Sequence, residues 1–307
     1  MNFRKKAVTK IRWRDFRALR KRLHAHVYKL SNEFGPRNLQ HYSALNKARE
    51  YIAEQMTLHN SNFINQQYHY KKKPINNLII EKVGQKLPDE IIVIGAHYDT
   101  VIESPGADDN ATGIACLLEL IRLLHNYNNQ RTLRFVAFTL EEPPFFGTDQ
   151  MGSDIYARSC KEKNENIVGM IALEMLGYYT EKRRSQNYPL PDMVGQYSDR
   201  GNFIAVVTND QYGQLAIDFA EKIKEVSLIK TKTIIPNFHI HGIDLSDHSS
   251  FWKYNYPAIM ITDTAYYRNP HYHEVSDTID TLNFKYFTRA VYALGYALKN
   301  LDQQDMI

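Results

Sequence analysis

The sequence contains few cysteines and no long run of apolar residues. Only Cys116 and Cys160 occur among its 307 residues, too few for a disulfide-stapled domain or a cysteine-based zinc finger. No uncharged apolar run approaches the roughly 18 to 20 residues of a membrane-spanning helix. The longest runs, such as Leu133–Leu140 and Ile91–Ala96, have the length of a β-strand. We therefore expect no integral membrane segment, no stapled secreted domain and no zinc finger.

The sequence also lacks internal repeats, low-complexity tracts and linkers rich in glycine and serine. Apolar residues make up 43% of the chain, which is enough for a substantial hydrophobic core. A chain of 307 residues suits one large α/β domain or two small ones. Because no linker is visible, we predict a single domain over residues 1–307.

Positive charge is concentrated at the N-terminus. Residues 1–24 hold ten lysines and arginines and one acidic residue, Asp15, whereas the remainder has 28 basic and 33 acidic residues. A basic segment can contact nucleic acid or anionic lipid, but here apolar residues recur at helical spacing. These are Ile11, Phe16, Leu19, Leu23, Val27 and Leu30. The pattern favours a basic amphipathic helix over about residues 8–32 that packs on the domain, without a nucleic-acid partner.

The N-terminal residues do not have the pattern of a secretory signal. They show no continuous apolar segment before a cleavage site of small residues. The compartment stays open, because a cytoplasmic protein and an exported protein whose signal has been removed would both fit this sequence.

Strand-like apolar runs alternate with helical patterns along most of the chain. The runs are Asn77–Val83, Ile91–Ala96, Leu133–Leu140, Met170–Leu173, Phe203–Thr208 and Ala258–Thr262. The helical patterns are Ala18–Asn32, Tyr42–His59, Ala111–His125, Gln150–Arg158, Gln214–Val226 and Asn283–Asn300. Runs that are apolar at consecutive positions indicate strands buried on both faces. We predict a three-layer α/β fold whose central sheet is mostly parallel or mixed and carries helices on both faces.

Histidines and acidic residues follow several of these runs. They are His97 and Asp99, Glu141 and Glu142, Glu174 and, beyond the last run, His273; Asp108 and Asp109 lie just before a helix. The carboxyl ends of parallel strands meet at one edge of a sheet, where ligands bind. Carboxylates crowded there would repel each other unless a cation lay among them. Histidine together with carboxylate suits zinc, cobalt or manganese.

Each of these residues also has an ordinary structural explanation. Asp108 and Asp109 could cap a helix, and His97 could simply end a strand. Asp99, however, can accept the other ring N–H of His97 and so fix its tautomer. A buried Glu174 would need a partner or a metal. The convergence of these residues at one sheet edge favours a metal site.

Four motifs, in this order, resemble the co-catalytic di-zinc exopeptidases. They are Gly95–Thr100, Gly106–Gly113, Glu141-Glu142, and Tyr272-His273 with Asp277-Thr278. That superfamily includes secreted bacterial leucyl aminopeptidases, the prostate-membrane-antigen carboxypeptidases and the glutaminyl cyclases. The resemblance extends from about Leu23 to the C-terminus.

The resemblance implies two zinc ions per chain with Glu141 as the general base. One ion would be bound by His97, Asp108 and Glu174, and the other by Asp108, Glu142 and His273, so that Asp108 bridges the two. The superfamily often has aspartate where this chain has Glu174, which we still expect to be a ligand. It also often has a cis peptide after the bridging aspartate, which would be the Asp108–Asp109 bond here.

The resemblance favours an aminopeptidase that cleaves the first residue from peptides. Tyr266 and Tyr267 could donate to the oxyanion or line a pocket, and Asp247-His248 is interpreted as structure behind the site. Three alternatives remain open: a glutaminyl cyclase with one zinc ion, a metal-free binding relative, and a carboxypeptidase. A carboxypeptidase would need a cationic clamp, for which Arg268 and Arg200 are the candidates. Metal identity, preferred N-terminal residue and oligomeric state also remain open.

Overall fold

Eight β-strands form one mixed sheet in the computed structural model, which describes residues 13–59, 62–238 and 240–304. The strands are β1 (Phe63–Tyr70), β2 (Lys73–Lys82), β3 (Leu87–His97), β4 (Arg131–Phe138), β5 (Asn166–Glu174), β6 (Phe203–Val207), β7 (Lys230–Ile234) and β8 (Ala258–Thr262). Their order across the sheet is β1-β2-β4-β3-β5-β8-β6-β7. The four central strands β4, β3, β5 and β8 are parallel, so their carboxyl ends meet at one edge.

Helices cover both faces of the sheet. They are α1 (Trp13–Tyr28), α2 (Tyr42–Thr57), α3 (Gly113–Leu124), α4 (Gly152–Glu162), α5 (Gly213–Glu225), α6 (His248–Lys253) and α7 (Phe284–Leu301). Helices α1, α2, α3, α5 and α7 contribute to the larger apolar core on one face, and α4 and α6 to the smaller core on the other. The predicted three-layer α/β fold is thus confirmed. None of the described helices is both long and apolar enough to cross a membrane.

The central strands are apolar at consecutive positions because both of their faces are covered. In β3, Ile92 and Ile94 pack into the larger core, while Ile91 and Val93 pack into the smaller one. Side chains of successive strand residues point to opposite faces, so a strand between two helix layers needs apolar residues throughout. This explains why the sequence pattern located the central strands.

Strands β1 and β7 were not predicted from the sequence. Both lie at an edge of the sheet and have mixed, partly exposed sequences. Edge strands with polar and charged residues avoid pairing with other chains, and they lack the continuous apolar pattern of central strands. The short helix α6 was also missed.

Helix α1 lies within the predicted basic helix, of which residues 8–12 fall outside the described part of the chain. A π-helical turn at Lys29–Phe34 follows it. The apolar residues of α1 pack into the larger core, and Glu119 of α3 forms an ion pair with Arg22 of α1. The Glu119 carboxylate accepts from Arg22 Nε at 2.9 Å and from Arg122 Nε at 2.8 Å. The extent of a single domain over residues 1–307 stays a prediction.

Candidate metal centre

Five side chains with metal-binding atoms converge at the carboxyl edge of the four parallel strands. His97 is the last residue of β3 and Glu174 the last of β5, while Glu142 follows β4. Asp109 lies in an irregular turn, Ala107–Thr112, that leads from β3 into α3, and His273 lies in the loop after β8. All are buried except His273, which is half-buried. The topology therefore brings together residues that are up to 176 positions apart in the sequence.

Asp109 lies between the two histidines. Its Oδ1 is 3.3 Å from His97 Nε2, and its Oδ2 is 3.3 Å from His273 Nε2. His97 Nε2 also lies 3.3 Å from Glu174 Oε2, and His273 Nε2 lies 3.1 Å from Glu142 Oε2. Each oxygen of Asp109 thus belongs to a different group of donor atoms.

The expectation that Asp108 is the residue between the two groups is wrong in this structure. The Asp108 carboxylate points away from the histidines and accepts hydrogen bonds from Gly177 N and Asn269 Nδ2, each at 2.8 Å. Side chains of adjacent residues leave the backbone in different directions, so one aspartate faces the site and its neighbour faces the protein. The cis peptide bond is likewise Asp109–Asn110 and not Asp108–Asp109.

Asp277 holds the backbone of this turn. Its carboxylate accepts from Asp108 N at 2.9 Å and from Asp109 N at 3.0 Å. In the sequence, Asp277 is part of a motif but has no predicted role. An aspartate four residues after a candidate ligand carries no sequence signal that it binds main-chain amides 168 residues away.

The predicted residues Asp99 and Glu141 lie next to the donor groups. Asp99 Oδ1 is 3.6 Å from His97 Nδ1, and its carboxylate accepts from the backbone N–H groups of Glu141 and Glu142 at 3.2 and 3.1 Å. Asp99 therefore holds the backbone that carries the two glutamates, and it lies beside the ring of His97. Glu141 Oε2 is 3.8 Å from His97 Nε2, farther than the oxygens of Asp109 and Glu174.

Left-handed backbone conformations occur at or beside three of the site residues. Leu140 precedes Glu141 with φ 55°, Met175 follows Glu174 with φ 47°, and His273 itself has φ 62°. Such conformations cost non-glycine residues about 1–3 kcal/mol each, so the surrounding contacts must hold them. The chain turns sharply at the sheet edge and so directs these side chains into the site.

Burial and mutual repulsion raise the pKa values of the two glutamates after β4, whereas the neighbouring histidines outweigh burial and lower the pKa of Asp109. Burial raises the pKa of Glu142 to about 7, with a further contribution from Asp109. Burial also raises the pKa of Glu141 well above its ordinary value, and the neighbouring carboxylates add to the effect. For His273, burial alone would lower the pKa, but hydrogen bonds with Asp109 and Glu142 outweigh it and raise the pKa to about 10. The excess of carboxylates at this site therefore favours the binding of a cation among them.

The donor atoms fit metal ions of the zinc type. Both ring nitrogens of His97 and Oε1 of Glu142 are buried and have no hydrogen-bond partner among the residues that the structure describes. A buried polar atom without a partner costs about 1–3 kcal/mol. Two groups of donors share Asp109, namely His97–Asp109–Glu174 and Asp109–Glu142–His273, and a third group, His97–Glu141–Glu142, includes the predicted base. In each group the atoms lie within 4.8 Å of one another. Imidazole and carboxylate are ligands that zinc accepts.

A pocket of about 220 Å³, called the apolar pocket below, opens beside the donor groups. Its inner walls come from β6, β8, the loop 178–202 and the loop 235–247. These walls are formed by Met193, Val207, Ile240, Ile243, Leu245 and Met260. Tyr266, Tyr267 and Tyr272 also line it, and the Tyr272 ring stacks on His273 with centroids 3.8 Å apart. The pocket therefore joins an apolar wall to the acidic donor groups.

The two arginines that were candidates for binding a substrate carboxylate lie outside the apolar pocket. Arg268 is buried and donates to Gln186 Oε1 at 2.8 Å and to the Phe203 carbonyl at 2.9 Å. Arg200 lies at the surface, where Nη1 is 3.8 Å from Glu181 Oε2. The described lining of the apolar pocket contains neither residue and no other arginine or lysine.

His248 lies outside both donor groups, although it follows Asp247 in a predicted motif. Its Nε2 lies 2.7 Å from the Ile243 carbonyl, and burial lowers its pKa to about 4. The ring is therefore neutral at physiological pH and donates to this carbonyl. The contact anchors the loop that forms one wall of the apolar pocket.

Several proteins resemble this chain in sequence. A protein of Escherichia coli K12, YfbL, which is uncharacterised, is 40% identical over 275 residues, covering 85% of this chain and 82% of YfbL. A probable leucine aminopeptidase of Arthroderma otae is 27% identical over 223 residues, covering 68% of this chain and 53% of that protein. The chain thus spans about half the length of that fungal relative.

Solved structures share the fold. A zinc aminopeptidase from Bacillus subtilis has a TM-score of 0.74 at 16% identity, with 92% of this chain and 95% of that chain covered. A glutaminyl cyclase of Bacteroides thetaiotaomicron has a TM-score of 0.67 at 15% identity, with 93% and 98% covered.

The family assignment rests on a match to most of the chain. The sequence model of peptidase family M28 matches residues 77–297, a range that contains the five candidate metal ligands and Glu141. The resemblance carried by the motifs is thereby confirmed, and the chain belongs to peptidase family M28.

Proposed function

We propose that this protein is a zinc aminopeptidase with two metal ions that removes N-terminal residues with large apolar side chains. Membership of peptidase family M28 makes the chain a peptidase-type hydrolase. The number of ions, the catalytic roles and the substrate preference are the parts that we propose.

The placement of Asp109 carries the proposal. Its two carboxylate oxygens face His97 and His273 at 3.3 Å each, and each histidine has a further carboxylate at 3.3 Å or less. A carboxylate shared by two groups of donors is the arrangement expected of a two-metal site. His97, Asp109 and Glu174 would hold one zinc ion, and Asp109, Glu142 and His273 the other.

When bound in such a site, zinc lowers the pKa of water toward neutrality and polarises a carbonyl oxygen. Glu141 is the residue that we assign as general base. Its carboxylate lines the apolar pocket beside His97, which is a position that a general base could use. It would take a proton from the attacking water and pass one to the leaving amine. Asp99 would orient His97 through Nδ1.

The charges around the pocket favour an amine over a carboxylate as the substrate terminus. Asp109, Glu141, Glu142 and Glu174 line the pocket, whereas its described lining has no lysine or arginine. A peptide α-ammonium group would be attracted to these carboxylates, while a peptide α-carboxylate would be repelled and would find no clamp. This supports an aminopeptidase over a carboxypeptidase.

The pocket walls favour a large apolar side chain. Aliphatic and methionine side chains form much of the lining, and two of them, Val207 and Met260, are almost fully buried. Against these apolar walls a charged substrate side chain would lose its hydration without gaining a partner from them. A side chain of the size of leucine, methionine or phenylalanine would instead bury apolar area, which is worth about 1.5–3 kcal/mol for full burial.

The first experiment measures metal content together with hydrolysis. Purified protein is dialysed, its zinc content per chain is determined, and a panel of aminoacyl-anilides is assayed with and without a chelator. N-acetyl-leucyl-anilide serves as the matched control, because its blocked amine cannot bind the carboxylates. We expect two zinc ions per chain and chelator-sensitive release of leucine from the free-amine substrate only.

Other outcomes would change the proposal in defined ways. Hydrolysis of the acetylated substrate would indicate an endopeptidase. One zinc ion with no hydrolysis would favour a glutaminyl cyclase, to be tested on peptides with N-terminal glutamine. Protein that binds no zinc would be a metal-free binding relative.

A further inference from the structure

Asp108 is a buried acidic residue without a role in the proposed chemistry. Its side chain is 0% exposed, and it belongs to none of the donor groups found in the described residues. It also lies outside the lining of the apolar pocket. A fully buried carboxylate needs partners that offset its desolvation, so its contacts indicate what it does.

Three segments donate to the Asp108 side chain, and the carboxyl group of Asp263, just after β8, is a further hydrogen-bonding neighbour. Gly177 N and the Thr112 hydroxyl donate to Oδ1 at 2.8 and 3.2 Å, and Asn269 Nδ2 donates to Oδ2 at 2.8 Å. Gly177 lies three residues after Glu174, and Asn269 lies four residues before His273. Each of these two contacts therefore ties a ligand-bearing segment to the turn that carries Asp109.

The backbone of Asp108 is fixed as firmly as its side chain. Its N–H donates to both carboxylate oxygens of Asp277, at 2.9 and 3.2 Å, and the adjacent Asp109 N–H donates to the same residue at 3.0 Å. Asp277 follows His273 by four residues. The loop that carries His273 therefore also fixes the backbone on the N-terminal side of Asp109, through Asp277.

We propose that Asp108 is a positioning residue that sets the distances between Asp109, Glu174 and His273. This inference rests on the metal site proposed above. Asp109 can face two histidines at once only if the segments after β5 and β8 stand at a fixed separation from its own turn. The Asp108 carboxylate spans that separation, because one oxygen binds the β5 side and the other binds the β8 side.

The test replaces Asp108 by asparagine and measures zinc affinity. In Asp108→Asn, the single acceptor oxygen can serve Gly177 N, but the new NH₂ group opposes the NH₂ group of Asn269. We expect zinc affinity to fall by about 10- to 100-fold, as when residues that orient metal ligands are replaced. Competition between the metal-free protein and a chromophoric chelator measures this without reference to activity.

A second substitution should restore the contact. In Asp108→Asn combined with Asn269→Asp, the amide of residue 108 donates to a carboxylate at residue 269, so the hydrogen bond is rebuilt with reversed direction. We expect this double variant to recover most of the lost zinc affinity. Asn269→Ala removes the donor to Asp108 and also the acceptor of His271 N at 2.9 Å, so it should lower zinc affinity in the same direction.

Asp302→Asn is the matched control. Asp302 is also 0% exposed and accepts from two backbone amides, Gln130 N and Arg131 N at 2.8 Å each, but it lies at the end of α7. We expect this variant to lower the melting temperature without changing zinc affinity.

Unchanged zinc affinity in Asp108→Asn would overturn the inference. Equal losses in Asp108→Asn and Asp302→Asn would also overturn it, because they would reflect general destabilisation. Wild-type protein that binds no zinc would instead refute the metal site itself, so the two failures are distinguishable.

Discussion

At the scale of single residues, two adjacent aspartates have opposite surroundings. Asp109 faces two histidines, whereas Asp108 faces backbone and side-chain donors. The sequence Asp108-Asp109-Asn110 offers no local signal that distinguishes them, because both are acidic and both precede a helix. Only the positions of Asn269 and Gly177 decide which carboxylate faces the site.

The role of Glu141 is the first prediction at this scale. Glu141→Gln keeps the size of the side chain but removes its ability to accept a proton. We expect kcat for leucyl-anilide hydrolysis to fall by about 10²- to 10⁴-fold, the usual contribution of a general base, with zinc content near that of the wild type. Steady-state kinetics and metal analysis on the same preparation measure both quantities.

Glu142→Ala is the comparison variant for Glu141→Gln. Glu142 Oε2 lies 3.1 Å from His273 Nε2, so its loss should reduce zinc content as well as activity. If Glu141→Gln retained wild-type kcat, Glu141 would have no part in proton transfer.

At the scale of elements, strands and loops contribute different parts of the candidate site. The ends of β3, β4 and β5 supply or precede ligands, while two loops build the wall of the apolar pocket. Residues from the long loop 178–202 line the pocket. Strands β6 and β8 also contribute to the lining through Val207 and Met260, which are paired across the two strands.

Filling the apolar pocket should change substrate preference. Met260→Trp adds volume where the side chain of a large N-terminal residue would lie. We expect the ratio of kcat/KM for leucyl- over alanyl-anilide to fall by about 10-fold or more. A single methylene group that fits or fails to fit an apolar pocket already changes transition-state binding by about 1–3 kcal/mol. Met260→Leu, which conserves volume, should leave the ratio nearly unchanged. Equal ratios in all three proteins would place the substrate side chain elsewhere.

The ion pair between Glu119 and α1 predicts how the free energy of unfolding depends on pH. Burial alone would raise the pKa of Glu119, but hydrogen bonds from His26 and Arg122 outweigh it and hold the pKa below 4.5. A carboxylate whose pKa is lower in the folded state adds stability above its unfolded pKa. That stability is lost as pH falls through the folded value. Glu119→Gln should therefore be less stable than wild type by about 1–3 kcal/mol at pH 7.

The difference between Glu119→Gln and wild type should shrink when the pH falls below 4.5, where the wild-type carboxylate takes up its proton. Urea unfolding at a series of pH values measures it. Glu33→Gln, which removes an exposed pair with Lys29, is the control and should change stability little at any pH. A constant difference between Glu119→Gln and wild type at every pH would contradict the assigned charge.

At the scale of the whole molecule, the metal centre joins parts of the chain that lie far apart in sequence. Its side chains come from the ends of two strands, from two loops and from the turn before α3. A metal ion bound to all of them favours the folded state over the unfolded chain, in which the ligands are dispersed. The centre should therefore contribute to the stability of the whole fold.

Removing metal should lower the melting temperature. Free zinc at about 100 times its dissociation constant adds about 2.7 kcal/mol to the free energy of unfolding. For a chain of 307 residues, with an unfolding entropy of about 2.1 cal/mol/K per residue, that corresponds to a rise of about 4 °C. Calorimetry of chelator-treated protein, before and after zinc is added back, measures the change. The same addition to Glu142→Ala should raise the temperature less, and identical melting curves for treated and reloaded wild type would argue against metal binding.

The amino-acid sequence by itself determined the central strands, most of the helices and the chemical nature of the site. It could do so because burial on both faces leaves continuous apolar runs, and because His97, Glu142, Glu174 and His273 directly follow such runs or their loops. Tertiary structure alone decided that Asp109 and not Asp108 faces the histidines. It also decided that Arg268 turns into the protein and that Val207 and Met260 line the apolar pocket. These outcomes depend on contacts between residues distant in sequence, which no local pattern of residue types encodes.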